Sequence, residues 1–355
     1  MVRASSRYMV WAKNRPAPAI DLAGSNLLAC TLDDLPEARE AVDLAGEGSP
    51  PDGYPPLVEA IASRYGVLSE NVATAVGCSG ANFLALAALL EAGDEVLFEQ
   101  PAYEPLGAAA TMLGARVTRF ERRFEEGWRL DLDRIGRALT PRTRVVMLSN
   151  PHNPSGVLAG EAELQEVARL AERRGATVLV DEVYLDLAGG RPAATLSPFF
   201  VSTSSLTKAY GLASLRCGWA LGSREITEKI RRARDVVDVW GPIPADRISV
   251  VAFRGLDRLA ARARRLRGAN ALLVASFLAG RGELECIASH TTIAFPRFRD
   301  GRDSTKFADR LFAEHGVAVV PGDFFDSPSH FRISFSGATD VLEKGLAAIA
   351  AFLDA

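Results

Sequence analysis

A series of short apolar segments without polar–apolar alternation, separated by helical patterns, runs through this 355-residue chain. Residues 144–148 (RVVML) and 177–180 are the clearest, and 95–98, 117–120, 199–202 and 219–221 belong to the same set. A strand with one wet face alternates, whereas a strand that stays apolar throughout is buried on both faces. Helical patterns at 82–91, 104–113 and 161–174 lie between them, closed by Gly93, Gly114 and Gly175. Strands of this kind alternating with helices predict a mostly parallel α/β sheet covered on both sides.

Beyond Pro244 the pattern changes. Residues 247–279 read as one long helix rich in Arg, Ala and Leu, followed by isolated strands at 292–295, 317–320 and 331–335 and a final amphipathic helix. A second, smaller α+β domain is therefore expected. Residues 46–244 make the large domain and 1–45 together with 245–355 the small one, with the Gly-, Ser- and Pro-rich stretch 46–56 crossing between them.

Composition removes several classes of function. Forty-one Lys and Arg against 44 Asp and Glu give a net charge of −3, without the basic excess of a nucleic-acid binder. Cys30, Cys78, Cys217 and Cys286 are scattered, and no two of the four histidines are spaced for metal binding, so reduced thiols and no metal are expected. Residues 1–12 lack the apolar core of a signal peptide, and no apolar run is long enough for a bilayer. A soluble, cytoplasmic protein is the expectation.

Ligands of a parallel sheet bind beyond the carboxyl ends of its strands. After 144–148 come Ser149-Asn150-Pro151-His152-Asn153-Pro154-Ser155-Gly156; after 177–180, Asp181-Glu182-Val183-Tyr184; after 199–202, Thr203-Ser204-Ser205-Leu206-Thr207-Lys208. An Asn, an Asp, a Tyr, several hydroxyls and a Lys thus converge on one edge. Lysine occurs only at positions 13, 208, 229, 306 and 344, and Lys208 alone follows a sheet strand and a hydroxyl run. Beside Arg216, its ammonium is destabilised and can serve as a nucleophilic amine. Taken singly, each residue has a plainer reading: a solvated loop lysine for Lys208, a helix cap for Asp181 or Ser79, a turn residue for Asn153, a core ring for Tyr184 or Tyr103, an edge-strand side chain for Arg332.

Taken together they resemble a known family. Ser205-Leu206-Thr207-Lys208-Ala209-Tyr210-Gly211 with Arg216-Cys217-Gly218-Trp219 is similar to the Schiff-base lysine signature of class I/II aminotransferases, fold type I enzymes of pyridoxal 5′-phosphate (PLP). Asn-Pro-His-Asn-Pro-Ser-Gly, Asp-Glu-Val-Tyr and the late Phe331-Arg332-Ile333-Ser334 resemble the same family in the same order, across residues 53 to about 335. The resemblance implies a PLP-dependent transferase-like fold with a seven-stranded large-domain sheet, and an enzyme that exchanges amino groups between an L-amino acid and a 2-oxo acid. It assigns Lys208 to the cofactor aldehyde, Asp181 to the pyridine nitrogen, and Asn153 and Tyr184 to the phenolic oxygen. Ser79, Gly80 and Ala81 at a helix start, with Ser205, Thr207 and Arg216, would hold the phosphate. Tyr103 would stack on the ring, Arg332 would clamp the substrate carboxylate with Asn153 beside it, and the Gly24 turn would approach the same group.

The resemblance also implies a homodimer with its active site at the subunit interface. Residues 46–50 lack the tyrosine by which many members reach the partner's phosphate, and Tyr54 comes after that stretch instead. For a substrate side-chain carboxylate, Arg297 and Arg299 are the candidates. A C–S lyase, a decarboxylase or a related synthase would need the same Lys, Asp, Asn and Arg. A PLP-sensing regulatory module would normally append a helix-turn-helix region, for which there is no basic segment.

Overall fold

The structure, a computed structural model, describes residues 5–42 and 52–355. The 46–50 stretch and most of the expected 46–56 crossing lie outside the described residues. At the centre is a seven-stranded sheet. In chain order its strands are β1 (Val72–Val76), β2 (Glu95–Gln100), β3 (Arg116–Glu121), β4 (Thr143–Ser149), β5 (Thr177–Asp181), β6 (Phe200–Ser205) and β7 (Cys217–Leu221). In space they run β1-β7-β6-β5-β4-β2-β3. β7 is antiparallel to both of its neighbours, and the remaining pairings are parallel.

Successive side chains of the inner strands β2, β4, β5 and β6 enter different cores. Val96, Phe98, Val145, Met147, Leu179 and Val201 pack with Leu84, Leu106 and Ile230 on one face. Leu97, Val146, Leu148, Val178, Val180 and Phe200 pack with Ile135, Leu164 and Val167 on the other. This two-sided burial is why the segments read as unbroken apolar runs. The helix Glu161–Glu172 buries Leu164, Val167, Ala168 and Ala171, one stripe of a 3.6-residue period.

Several boundaries differ from the sequence reading, each for a local reason. β1 (VATAV) is too poor in bulky residues to stand out, and it is a strand because it pairs with β7. The helix expected at 82–91 is Gly77–Leu89: Gly77, at φ 71°, lets β1 turn straight into it. β6 runs on through Ser205, since Thr203, Ser204 and Ser205 pair with β7 and are strand, not loop. The long helix expected at 247–279 is two, Ile243–Arg254 and Leu256–Ala279, parted at Gly255. An unexpected helix, Arg7–Asn14, is capped by the Ser6 hydroxyl, which accepts from the Met9 amide.

The N-terminal segment joins the C-terminal one. Ile20–Asp21 pairs in parallel with Val317–Ala318. Leu22 shares a core with Phe298, Phe307, Leu311, Phe331, Ile333 and Leu346. The strand Phe331–Ser334 lies antiparallel between Ile293–Ala294 and Val320–Pro321, so Arg332 is anchored from both sides. No helix among the described residues is long and apolar enough to cross a membrane.

Candidate active site

A cleft of about 540 Å³ opens at the carboxyl ends of β4, β5 and β6, where loops diverge from a parallel sheet. Ser149 and Asn153 reach it from β4, Asp181 and Tyr184 from β5, and Ser205, Thr207 and Lys208 from β6, while Tyr8, Ser25 and Asn26 form the opposite wall. A larger groove of about 740 Å³ runs along the helix Leu256–Ala279. It is mainly apolar, and the two charged residues lining it, Glu285 and Arg299, pair with each other. The chemistry therefore concentrates in the smaller cleft.

Lys208 sits on the short helix Leu206–Tyr210, whose N-cap Ser205 accepts from the Thr207 amide. Its Nζ donates to Ser25 Oγ at 2.9 Å and to Asn26 Oδ1 at 2.6 Å. Burial, joined by the nearby Arg332 charge and opposed by Asp181, lowers its pKa to about 7. An amine of that pKa is substantially neutral, hence nucleophilic, at neutral pH.

Asp181 ends β5 with both oxygens occupied. Oδ1 accepts from the Val183 amide at 3.1 Å and Oδ2 from Asn82 Nδ2 at 2.8 Å. Thr203 Oγ1 donates to Asn82 Oδ1, which orients the amide so that its NH₂ faces Asp181. Burial raises the Asp181 pKa, while these bonds and the Lys208 charge hold it down. Sequence reasoning missed Asn82. Its signal was a buried amide in the otherwise apolar, Ala- and Leu-rich helix Gly77–Leu89.

Arg332 is only 1% exposed. Its Nη1 donates to Asn153 Oδ1 at 3.0 Å, and its Nη2 to Tyr8 Oη at 2.9 Å and Ala23 O at 3.2 Å. Because a guanidinium only donates, Asn153 turns Oδ1 toward it and keeps its NH₂ for an acceptor in the cleft. Tyr184 is buried in the same cleft, with Ser25 near its hydroxyl, which makes no well-formed hydrogen bond among the described residues. The Tyr103 ring stands edge-on to Tyr8 at 5.7 Å and lines the cleft.

At the far end, the Arg216 guanidinium lies over Gly77, where any Cβ would collide with it. The Gly77 amide donates to Arg216 O at 2.6 Å, which ties the helix start to the arginine. Cys78 and Ser79, next in the first turn, keep amides free of helical partners in the cleft wall. Gly80 and Ala81, expected at the same helix start, come after these two. With the helix starting at Gly77, both lie past the free amides, and neither lines the cleft. Gly24 is likewise outside the lining. It is exposed and its amide donates to Asp21 Oδ1, while its neighbours do the work: Ala23 on Arg332, Ser25 on Lys208. Arg297 and Arg299 point elsewhere, Arg297 pairing with Glu125 and Glu285 and Arg299 with Glu285.

Comparison with known proteins agrees with this geometry. Residues 20–349 match the model of the aminotransferase class I and II family. The chain belongs to that family. It is 34% identical over 88% of its length to capreomycidine synthase of Streptomyces vinaceus, covering 82% of that protein. To the aspartate/prephenate aminotransferase of Thermus thermophilus it is 29% identical, over 97% of this chain and 96% of the other. Among solved structures, the N-succinyldiaminopimelate aminotransferase of Mycobacterium tuberculosis superposes with a TM-score of 0.89 at 26% identity, covering 99% of this chain and 98% of that one. The protein is thus an enzyme, an aminotransferase of PLP fold type I.

The residues present fit PLP on their own chemistry. A dianionic phosphate suits the Arg216 guanidinium and the amides of a helix start. The lowered pKa of Lys208 suits attack on an aldehyde. Asp181 suits a ring nitrogen, and the Tyr184 hydroxyl, left without a well-formed bond among the described residues, suits a phenolate oxygen together with the Asn153 amide.

Proposed function

We propose that this aminotransferase moves an amino group between an L-amino acid and a 2-oxo acid with Lys208 as its reactive amine. The observation that carries this reading is one cleft lined by Lys208 and Asp181, with Arg332 buried behind it and bonded to Asn153 and Tyr8 of its wall, and with the Lys208 pKa lowered to about 7. PLP, when bound, supplies the electron sink for the pair released at the substrate Cα. Arg332 takes the α-carboxylate and thereby fixes the Cα–H bond. Lys208 Nζ, neutral at working pH, removes that proton and later returns one. Asp181 holds a proton on the ring nitrogen. Asn153 and Tyr184 donate to the phenolic oxygen. Arg216, Ser79, Ser205, Thr207 and the Cys78 and Ser79 amides hold the phosphate, and Tyr103 covers the ring.

The same reading takes residues 46–244 as the large domain and 1–45 with 245–355 as the small one, supported by the core that Leu22 shares with C-terminal residues. A homodimer is supported by apolar side chains left exposed at and just past the end of the helix Arg224–Val237, with Val236 at 86% and Trp240 at 56%. A cytoplasmic location is supported by four free cysteines.

A second activity, of synthase or lyase type, is favoured by one observation: a relative covering most of the chain is named a synthase. Visible absorption of the purified protein with a panel of amino acids tests both. Loss of the cofactor's visible band on adding an amino acid, with return on adding a 2-oxo acid, is the expected outcome. A band that persists while ammonia, carbon dioxide or a thiol is released would replace transfer with lyase or decarboxylase chemistry.

A further inference from the structure

The substrate half of the cleft is closed by a segment that no motif marks. The helix Arg7–Asn14 places Tyr8 and Met9 in the cleft wall. Tyr8 is 8% exposed, and its ring packs edge-on against Tyr103 at 5.7 Å and Phe324 at 5.8 Å. Its hydroxyl accepts from Arg332 Nη2 at 2.9 Å, and the Arg332 guanidinium carbon lies 5.6 Å from the Tyr8 ring centroid. A hydroxyl that accepts from a guanidinium still has its own proton to donate.

What fixes Tyr8 is a single carboxylate. Glu104, first residue of the helix Glu104–Met112, accepts from Ser6 Oγ at 2.8 Å, the Arg7 amide at 3.1 Å and the Tyr8 amide at 2.8 Å. It thus satisfies amides at the start of Arg7–Asn14 that have no partner within their own helix, and its charge lies at the positive end of that helix. Arg7 adds an ion pair to Asp323 at 2.7 Å. A helix of only eight residues has little stability of its own. Its placement therefore depends on such outside contacts.

We propose that Tyr8 is a further element of the substrate-carboxylate site, orienting Arg332 through one hydrogen bond and offering its own O–H to the carboxylate, and that Glu104 is a positioning residue that holds Tyr8 there. The Arg332 donors explain the need. Three of five are spent on Asn153, Tyr8 and Ala23, and Nε is buried with no partner among the described residues. An arginine so committed presents few free N–H groups, and the tyrosine proton adds one. This inference rests on the reading that Arg332 takes the α-carboxylate.

The test compares Tyr8→Phe, Glu104→Gln and Arg332→Lys in the holoenzyme. For each, kcat and KM are measured with the best amino donor and with the corresponding amine that lacks the carboxylate. Equilibrium binding of the 2-methyl amino acid, which has no proton to give up, is followed by absorbance. Tyr8→Phe keeps the ring and its packing. It should raise KM and the 2-methyl amino acid Kd about ten-fold, change kcat less, and leave the amine's KM where it was. Glu104→Gln should shift the same constants in the same direction by less, and Tyr8→Phe should add little in the Arg332→Lys background. Unchanged amino-acid affinity in Tyr8→Phe beside a large loss in Arg332→Lys would overturn the role of Tyr8 alone. Unchanged affinity in Arg332→Lys would instead overturn the carboxylate reading. Equal losses with amino acid and amine in Tyr8→Phe would reduce Tyr8 to packing.

Discussion

The two walls of the cleft are built in opposite ways. On the cofactor side, the proposed ligands lie within residues 78–216 and sit at the ends of adjacent strands or the start of one helix. On the substrate side, Tyr8 and Arg332 are 324 positions apart and meet because both chain ends share one core. A wall made by one sheet inherits its geometry from strand pairing. A wall made by remote segments depends on packing and on a few cross-contacts such as Glu104 to the Arg7–Asn14 helix. Damage to the first should show in the cofactor, and damage to the second in substrate affinity.

The strongest test of that division is Lys208→Ala, for which turnover with every amino donor should fall at least ~10³-fold with loss of the cofactor's lysine-linked visible band. Retained transamination would remove Lys208 from the mechanism. Next in size, Arg332→Lys should lower kcat/KM for amino acids about 100-fold, since an ammonium cannot reproduce the planar fork. PLP affinity, titrated by absorbance, should stay as in the wild type; a comparable loss there would mean that the two walls are not separable.

The pH dependence bears on the cofactor wall alone. The Lys208 pKa is lowered to about 7, so its reactive neutral form is scarce below that pH and dominant above it. The rate at which apoenzyme takes up PLP should rise about ten-fold per pH unit up to roughly 7 and level off beyond. A rise continuing to pH 10 would mean an ordinary solvated lysine. The smallest effect is expected for Asn82→Leu, which removes the amide donated to Asp181. It should weaken PLP binding about ten-fold, the worth of one hydrogen bond to a charged group. The amino-acid KM should stay near its wild-type value, and a shift in KM without a change in PLP affinity would put Asn82 on the wrong wall.

How much of this was legible beforehand follows the same division. Residues 144–148 and 177–180 announced buried strands because side chains alternate between two apolar cores, and the polar residues directly after them had to fall at the sheet edge. The helix behind β1 starts at Gly77 and not at residue 82, because β1 is short in bulky residues and hides the boundary between them. Asn82 and Thr203 looked like an amide in a helix and a hydroxyl in a loop, yet the parallel sheet sets them beside Asp181.

The parallel sheet, the family and the candidate lysine at a strand end were all legible in the sequence, because period, strand-end chemistry and motif order are local properties that survive without coordinates. Long-range packing, by contrast, sets Ser25 and Asn26 against Lys208, Tyr8 against Arg332, and Glu104 at the start of the helix carrying Tyr8. Those contacts join residues about a hundred to more than three hundred positions apart, and they exist because the N-terminal segment pairs with residues 317–318 and packs into the C-terminal core. Hydrogen-bond partners at such separations leave no periodic trace in either segment. They are set when two remote surfaces are buried against each other.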